Sequence, residues 1–388
     1  MDTNPFLAIL LYTVGGFTGA SFYLPFKRVR NWAWESYWMV YTIVALLVVP
    51  WAMAFAFSPN VLSVLGRTPW ERLGLCFLFG AMWGAGGLTW GLMIRYLGVG
   101  LGVSVGCGLC AAVGTLVPPL FLGEYAKLIE LPGGGRALAV LLAGVAVSLV
   151  GIVVIGGAGM SKESEVSEEQ KKASVAEFNF KKGILVAIFS GVMSAGMSFG
   201  ISMGGVGEKL SMSQLAIDIE PKTPATWQGL PVLVVVMLGG FAVNFIWCLL
   251  LNFKNRTTGD YLKANSPLVL NVLFSSAAGA LWYSQMALLT TGNAYIGDYK
   301  FSSWSVFMSA QIIFSTLWGI ALAEWKGVSQ RTRRLLFSGL AILIFSVIVI
   351  GVGNYLQEES KKRAESSRSA AVSASCCEPS VWSDREPA

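Results

Sequence analysis

The chain is a succession of long apolar stretches separated by short polar segments. Ten stretches hold no charged residue and are at least 22 residues long: 3–26, 36–66, 73–94, 96–123, 137–161, 183–207, 223–253, 264–297, 301–323 and 335–357. About 20 apolar residues, rising 1.5 Å each, cross a hydrocarbon core of roughly 30 Å. Short segments of alternating polarity, typical of transmembrane β-barrels, do not occur. The pattern therefore predicts an all-α membrane protein of about ten transmembrane helices.

Composition supports this prediction. Hydrophobic residues make up 54% of the chain and charged residues 13%, against about 25% charged in soluble domains. The first stretch lacks a basic segment before it and an A-x-A site after it, so we expect a permanent span rather than a signal peptide. Gly80, Gly84, Gly87 and Gly91 share one face of the third helix, which predicts close approach of a neighbouring helix or a ligand.

The distribution of basic residues predicts the orientation of the helices. Loops after the odd-numbered stretches carry sixteen Lys or Arg residues, and loops after the even-numbered stretches carry seven. Basic loops are retained on the cytoplasmic side. We therefore expect a multi-pass protein of the cell (inner) membrane with odd-numbered loops in the cytoplasm and both termini outside. Basic loops facing anionic lipid account for the net charge of +6, so no nucleic-acid partner is predicted.

One polar segment divides the chain. Residues 161–182 form a cytoplasmic linker between two sets of five helices, residues 1–160 and 183–357. An odd number of spans per half turns the second half upside down, which predicts two inverted five-helix repeats with the substrate where they meet. The Ser- and Ala-rich residues 358–388 are predicted to be a disordered C-terminal tail. The sequence does not indicate an oligomeric state.

Missing residue types exclude several kinds of chemistry. The chain has no histidine, which excludes metal–histidine sites and histidine-based acid–base catalysis. No P-loop is present, and no apolar stretch contains the paired carboxylates of an intramembrane protease. The Cys107-x-x-Cys110 pair has no second pair and indicates packing rather than a metal site. We therefore predict neither enzymatic activity nor a metal or other cofactor.

Neutral polar and aromatic side chains at membrane depth are the candidate binding groups. A buried charge in a membrane usually serves a function, and its absence here favours an uncharged substrate. Hydroxyls, amides and ring faces are the groups that bind a sugar. For each residue alone, hydrogen bonding between helices is the alternative role. The candidate substrate-binding residues are Ser21, Tyr23, Trp83, Trp90, Ser198, Asn244, Trp282, Tyr283, Gln285 and Trp304, with Trp90, Trp282 and Gln285 placed in the central cavity.

Several runs resemble the L-rhamnose–proton symporter family. They occur in the expected order at residues 22–35, 79–84 with 93–98, 178–183 with 194–199, 282–285, 303–304 and 324–325. The resemblance implies the ten-helix fold of the drug/metabolite transporter superfamily and uptake of sugar driven by protons. Lys300 stands before Ser303-Trp304 where the family pattern leads us to expect an acidic residue.

The resulting hypothesis is a secondary active transporter that takes up a neutral deoxy-sugar, L-rhamnose first, by proton symport. Its partners are then the sugar, the proton and the lipid bilayer. Two alternatives are an exporter of metabolites or drugs with the same fold and a membrane sensor that transports nothing. A sensor usually carries a sizeable soluble output domain, and no such domain is evident in the sequence.

Proton symport requires a group that changes protonation with the access state. Without histidine, a carboxylate at a helix end is the natural choice. The candidates for proton coupling are Glu208, then Asp298, then Glu324, with Glu35 fourth because neighbouring cations are expected to hold it ionised.

Overall fold

The computed structural model describes residues 3–165, 180–205, 210–263, 265–297, 300–323 and 325–375, and within these ranges the chain is helical with no strand. Nine helical segments are long and apolar enough to cross a membrane, or ten if one bent pair counts as a span. The protein is therefore a multi-pass membrane protein. Its α-helices are α1 (Pro5–Ser21), α2 (Trp34–Ile43), α3 (Val49–Phe57), α4 (Val61–Arg67), α5 (Trp70–Phe121), α6 (Glu124–Glu130), α7 (Gly134–Ser164), α8 (Phe180–Ser194), α9 (Gly196–Gly205), α10 (Met212–Asp218), α11 (Leu230–Lys254), α12 (Leu268–Gly292), α13 (Ser302–Ala321) and α14 (Gln330–Ser375).

Two spans are interrupted helices. In the second span, α2 continues through a π-helical turn at Val44–Val48 into α3. Pro50, the second residue of α3, has no N–H to donate to the preceding turn, which disturbs the regular α-helical ladder at this point. In the sixth span, α8 and α9 meet at Ala195.

The longest helix, α5, contains the third and fourth spans. A Cβ atom built on Gly106 would lie 3.0 Å from Sδ of Met93, whereas a straight helix would separate these residues by about 20 Å. The chain therefore reverses between the two residues, and α5 consists of two antiparallel arms. Pro118 and Pro119 lie in its last turn, and α6 then departs at an angle of 74°.

Both described ends of the chain lie at the same end of the bundle, which we call the terminal end. There the backbone N–H of Asn4 donates to the carbonyl oxygen of Tyr295 over 2.9 Å, and Gly133 lies against Ser360. At the opposite end, the N–H of Arg30 donates to Oδ1 of Asn271 over 3.0 Å. Termini on one side require an even number of crossings, which agrees with ten spans.

The helices pack in pairs through small residues. Helix α1 lies between α12 and α13, α8 and α9 pack on both arms of α5, and α7 pairs with α14. A Cβ on Gly16 would lie 2.5 Å from Cβ of Ala310, and one on Gly191 would lie 2.8 Å from the carbonyl oxygen of Gly106. Such contacts let helices approach closely where lipid gives no hydrophobic drive for association.

The last helix extends into the segment predicted to be a disordered tail. It continues to Ser375, and disorder of residues 358–388 stays a prediction. Glu358 and Lys362 approach to 3.5 Å, and Glu359 pairs with Arg363. Pairs four residues apart stabilise an exposed helix by about 0.2–0.5 kcal/mol each, which favours continuation of the helix. Cys376 and Cys377, like most of the predicted linker, lie outside the described residues.

Candidate functional site

A cavity of about 50 Å³ lies near the terminal end, between α9, α10, the start of α11, the end of α12 and the start of α13. This volume is below the usual range of small-molecule sites, about 300–1,000 Å³, so the walls must move apart before a sugar can enter. Its walls combine hydroxyls, two amides, one lysine and apolar side chains. The lining residues are Ser198, Ile201, Ser202, Gly205, Ser213, Gln228, Gly229, Val232, Leu289, Thr290, Asn293, Lys300, Phe301, Ser303 and Trp304.

Two wall residues are anchored to the second arm of α5. The hydroxyl of Ser198 donates to the carbonyl oxygen of Gly114 over 2.6 Å, and Nε1 of Trp304 donates to the carbonyl oxygen of Cys110 over 3.2 Å. Gly114 makes this possible, because a Cβ there would lie 2.5 Å from Nε1 of Trp304. The indole is therefore held in a fixed orientation at the cavity.

The wall formed by α12 is fixed by contacts with α1 and with its own backbone. Oδ1 of Asn293 accepts a hydrogen bond of 2.9 Å from the hydroxyl of Tyr12, so the Asn293 amide nitrogen remains as a donor. The hydroxyl of Thr290 donates to the carbonyls of Met286 and Ala287, 3.1 Å each. Further along the chain, the hydroxyl of Ser303 donates to the carbonyl of Lys300 over 2.6 Å.

A buried polar network joins the helices at the opposite end. Oδ2 of Asp260 accepts hydrogen bonds from the N–H of Ala33 (2.7 Å) and the hydroxyl of Ser36 (2.8 Å), and its Oδ1 pairs with Lys263. Burial acts to raise the pKa of Asp260, but the hydrogen bonds from Lys263, Ala33 and Ser36 outweigh it, so the pKa lies below its ordinary value. The ionised carboxylate thus ties the start of α2 to the segment after α11.

Ser198 and Trp304 are the two predicted binding residues that line the cavity. Trp83 and Trp282 stack on each other at 4.9 Å between ring centroids, and Nε1 of Trp90 donates to the hydroxyl of Ser194 over 3.0 Å. The Trp83–Trp282 stack continues through Tyr41, whose ring lies 6.3 Å from that of Trp282. The structure places these tryptophans in contacts between helices.

Asn244 and Ser21 form hydrogen bonds with other helices, and Tyr23 lies at the surface of the protein. Oδ1 of Asn244 accepts from Nε1 of Trp38 over 3.2 Å, and the hydroxyl of Ser21 accepts from Nε1 of Trp318 over 2.9 Å. Tyr23 is 56% exposed.

Tyr283 and Gln285 are buried on α12, and the structure gives the Tyr283 hydroxyl and Oε1 of Gln285 no hydrogen-bond partner among the described residues. The Gln285 side chain lies against Gly19, at the contact between α12 and α1.

Only one of the predicted coupling carboxylates is among the described residues. Glu35 is buried, and its Oε1 accepts hydrogen bonds of 2.9 Å from Asn255 and from Thr257. These donors belong to the polar network at the opposite end, so Glu35 connects α2 to the segment after α11. Glu208, Asp298 and Glu324 lie outside the described residues.

Most of the cavity wall was not predicted from the sequence, although the spacing of its polar residues carries a signal. Ser198, Ile201, Ser202 and Gly205 are spaced so that they share one face of a helix. Thr290 and Asn293 are similarly spaced at the end of α12. Polar stripes near the ends of successive spans would have indicated the cavity, whereas the predictions favoured residues at mid-span.

Comparison with known proteins identifies the family to which the chain belongs. The sequence model of the L-rhamnose-proton symport protein family matches residues 1–355. A protein of Yersinia pestis (strain Pestoides F) named L-rhamnose-proton symporter is 32% identical over 357 residues, covering 91% of this chain and 99% of that protein. A protein of the same name from Salmonella dublin is 33% identical over 351 residues, covering 89% and 97%. The chain therefore belongs to the L-rhamnose-proton symport protein family.

Proposed function

We propose that this protein is a secondary active transporter that takes up L-rhamnose, or a closely related neutral deoxy-sugar, together with a proton. The observation that carries the proposal is the cavity at the terminal end, whose walls match a sugar, in a chain of this family. Neither the exporter nor the sensor alternative is favoured by a feature of the cavity.

The cavity walls suit a six-membered sugar with one methyl group. Gln228 and Asn293 offer amides, and Ser202 and Ser213 offer hydroxyls, all of which exchange hydrogen bonds with sugar hydroxyls. The Trp304 ring provides an apolar face for the C–H side of the sugar. Ile201, Val232 and Leu289 line the same cavity and accept a methyl group more readily than a hydroxymethyl group.

Uptake into proteoliposomes tests the proposal. With an inward proton gradient, radiolabelled L-rhamnose is expected to accumulate above its external concentration, and dissipation of the gradient with a protonophore is expected to remove the accumulation. Exchange of labelled for unlabelled rhamnose without a gradient measures binding and transport separately from coupling. Absence of both accumulation and exchange would refute sugar transport, whereas accumulation that ignores the gradient would refute symport.

We further propose the arrangement of two inverted five-helix repeats. Its support is a correspondence in packing: α1 in the first half lies on α12 and α13, the eighth and ninth spans, and α8–α9 in the second half lies on the two arms of α5, the third and fourth spans. The fifth and tenth spans, α7 and α14, pair with each other. If the first span corresponds to the sixth, the third to the eighth and the fourth to the ninth, each contact in one half has an equivalent in the other half. An inverted repeat requires this equivalence.

The orientation with both termini outside is also proposed, on the basis of the basic loops. An impermeant thiol reagent applied to intact cells is expected to label Cys376 or Cys377 and to leave a cysteine introduced at Lys171 unlabelled. Permeabilised cells provide the control, because position 171 should then react. Labelling of position 171 in intact cells would show that the orientation is reversed.

A further inference from the structure

Glu124 is an acidic residue close to the cavity and is not one of the carboxylates predicted to couple the proton. It is the first residue of α6, directly after the fourth span and the residues that join the two helices. Its side chain is partly buried, and Oε1 is withdrawn from solvent with no hydrogen-bond partner among the described residues. A carboxylate oxygen in this situation loses hydration without receiving a donor, which favours its protonated form.

Among the described residues, two cations act on the Glu124 carboxyl group. Lys300, from the segment before α13, and Lys127, one turn along α6, are the cations that act on it. The second arm of α5 and all of α13 contribute no charged side chain, and Arg136 is the charged residue near the start of α7. At the same end, Glu358 and Lys362 of α14 pair with each other.

Lys300 connects this carboxyl group to the cavity. Lys300 and Phe301 both line the cavity wall, and the ring of Phe301 contacts that of Tyr125 at 5.6 Å between centroids. Tyr125 follows Glu124 directly in α6. A change of charge at Glu124 therefore acts on a cation that borders the space proposed for the sugar.

The balance of effects leaves Glu124 poised to bind a proton. Burial raises the pKa of Glu124, and the charges of Lys300 and Lys127 oppose this, with the result that the pKa lies above its ordinary value. Glu124 therefore binds a proton at a higher pH than an exposed glutamate does, so less acidification of the exterior is needed to protonate it.

We propose that Glu124 is the proton-binding group of symport and that Lys300 transmits its state to the sugar site. The inference rests on the proposed function. A proton from the terminal side adds to the carboxylate, which then no longer attracts the Lys300 ammonium group. The positive charge of Lys300 at the cavity wall is then less compensated, which strengthens a hydrogen bond from its ammonium group to a sugar hydroxyl, so sugar and proton bind together. After the change of access, the proton leaves Glu124 on the other side with the sugar.

The test compares Glu124→Gln with Glu130→Gln in proteoliposomes. Gln keeps the shape of Glu124 but carries no titratable proton, so gradient-driven accumulation is expected to vanish while rhamnose exchange persists. Its apparent affinity in exchange is expected to change less than 2-fold between pH 6 and pH 8, whereas that of the unaltered protein weakens as pH rises. Glu130 is exposed at the other end of α6, and Glu130→Gln is expected to behave like the unaltered protein.

Further variants distinguish the possible failures. Lys300→Met is expected to weaken the apparent affinity for rhamnose, because it removes a donor to the sugar, and to make the remaining affinity independent of pH; an affinity that still weakens as pH rises would overturn the role of Lys300. Accumulation by Glu124→Gln equal to that of the unaltered protein would overturn the inference and leave the proposed function intact. Loss of accumulation in Glu208→Gln but not in Glu124→Gln would likewise overturn it and assign coupling to Glu208. Loss of exchange as well as accumulation in Glu124→Gln would also overturn it, by showing that the residue is needed for more than the proton.

Discussion

Replacing Gly114 by alanine is expected to weaken sugar binding about 5–150-fold, equivalent to about 1–3 kcal/mol. The added Cβ would lie 2.5 Å from Nε1 and 2.8 Å from Cδ1 of Trp304, so the indole has to move. Its hydrogen bond to the carbonyl of Cys110 breaks, and the ring face leaves the cavity wall. The hydroxyl of Ser198 retains its acceptor, because the Gly114 carbonyl is unchanged.

Gly108→Ala is the matched control for this prediction. Gly108 lies on the same arm of α5, but a Cβ there would meet only Cγ2 of Ile152 at 3.9 Å, which is ordinary van der Waals contact. Apparent affinity for L-rhamnose is measured by exchange in proteoliposomes for both variants. Equal affinities for Gly114→Ala and Gly108→Ala would show that the orientation of Trp304 does not matter for the sugar.

Replacing Gly80 by alanine is expected to destabilise the fold severely. The new Cβ would overlap the backbone carbonyl oxygen of Val236 on α11. Overpacking against a flexible side chain costs about 1–3 kcal/mol, and we expect a cost at the upper end of this range or beyond it because backbone cannot rotate away. The first arm of α5 and α11 must separate, so the thermal transition of the detergent-solubilised protein should fall sharply.

Gly87→Ala on the same arm provides the comparison. A Cβ at Gly87 meets no atom within 4 Å, and alanine favours helix over glycine by about 1 kcal/mol. The thermal transition of this variant is therefore expected to stay the same or to rise slightly. A Gly80→Ala protein as stable as Gly87→Ala would contradict the close contact between these helices.

The four glycines on one face of the third span show what a sequence pattern can predict about helix packing and what it cannot. Gly80, Gly84, Gly87 and Gly91 share a face by their spacing, yet Gly80 and Gly84 contact α11 whereas Gly87 and Gly91 face open space. The pattern correctly predicts close helix packing. It does not say where along the helix the neighbour crosses, because the crossing angle is set by both helices together.

The sequence by itself determined the architecture. Ten charge-free stretches predicted the spans, because a charge in the hydrocarbon core is costly and about 20 apolar residues are needed to cross it. The reversal inside α5 lies between Met93 and Gly106, an interval that includes the boundary at Arg95 between the predicted third and fourth spans. The series of short runs in the expected order, from residues 22–35 to 324–325, likewise indicated the family, which the match over residues 1–355 confirms.

Only the tertiary structure decided which polar residues face the cavity. Trp90 and Trp304 are both tryptophans within spans, yet Nε1 of Trp90 bonds to Ser194 between helices whereas Trp304 is held at the cavity by a carbonyl of α5. In a membrane helix, leaving a buried polar side chain without a hydrogen-bond partner costs free energy, and either a neighbouring helix or a substrate can supply the partner. Which of the two occurs depends on how far apart the helices stand at that depth, and that distance is fixed by contacts such as Gly114 against Trp304.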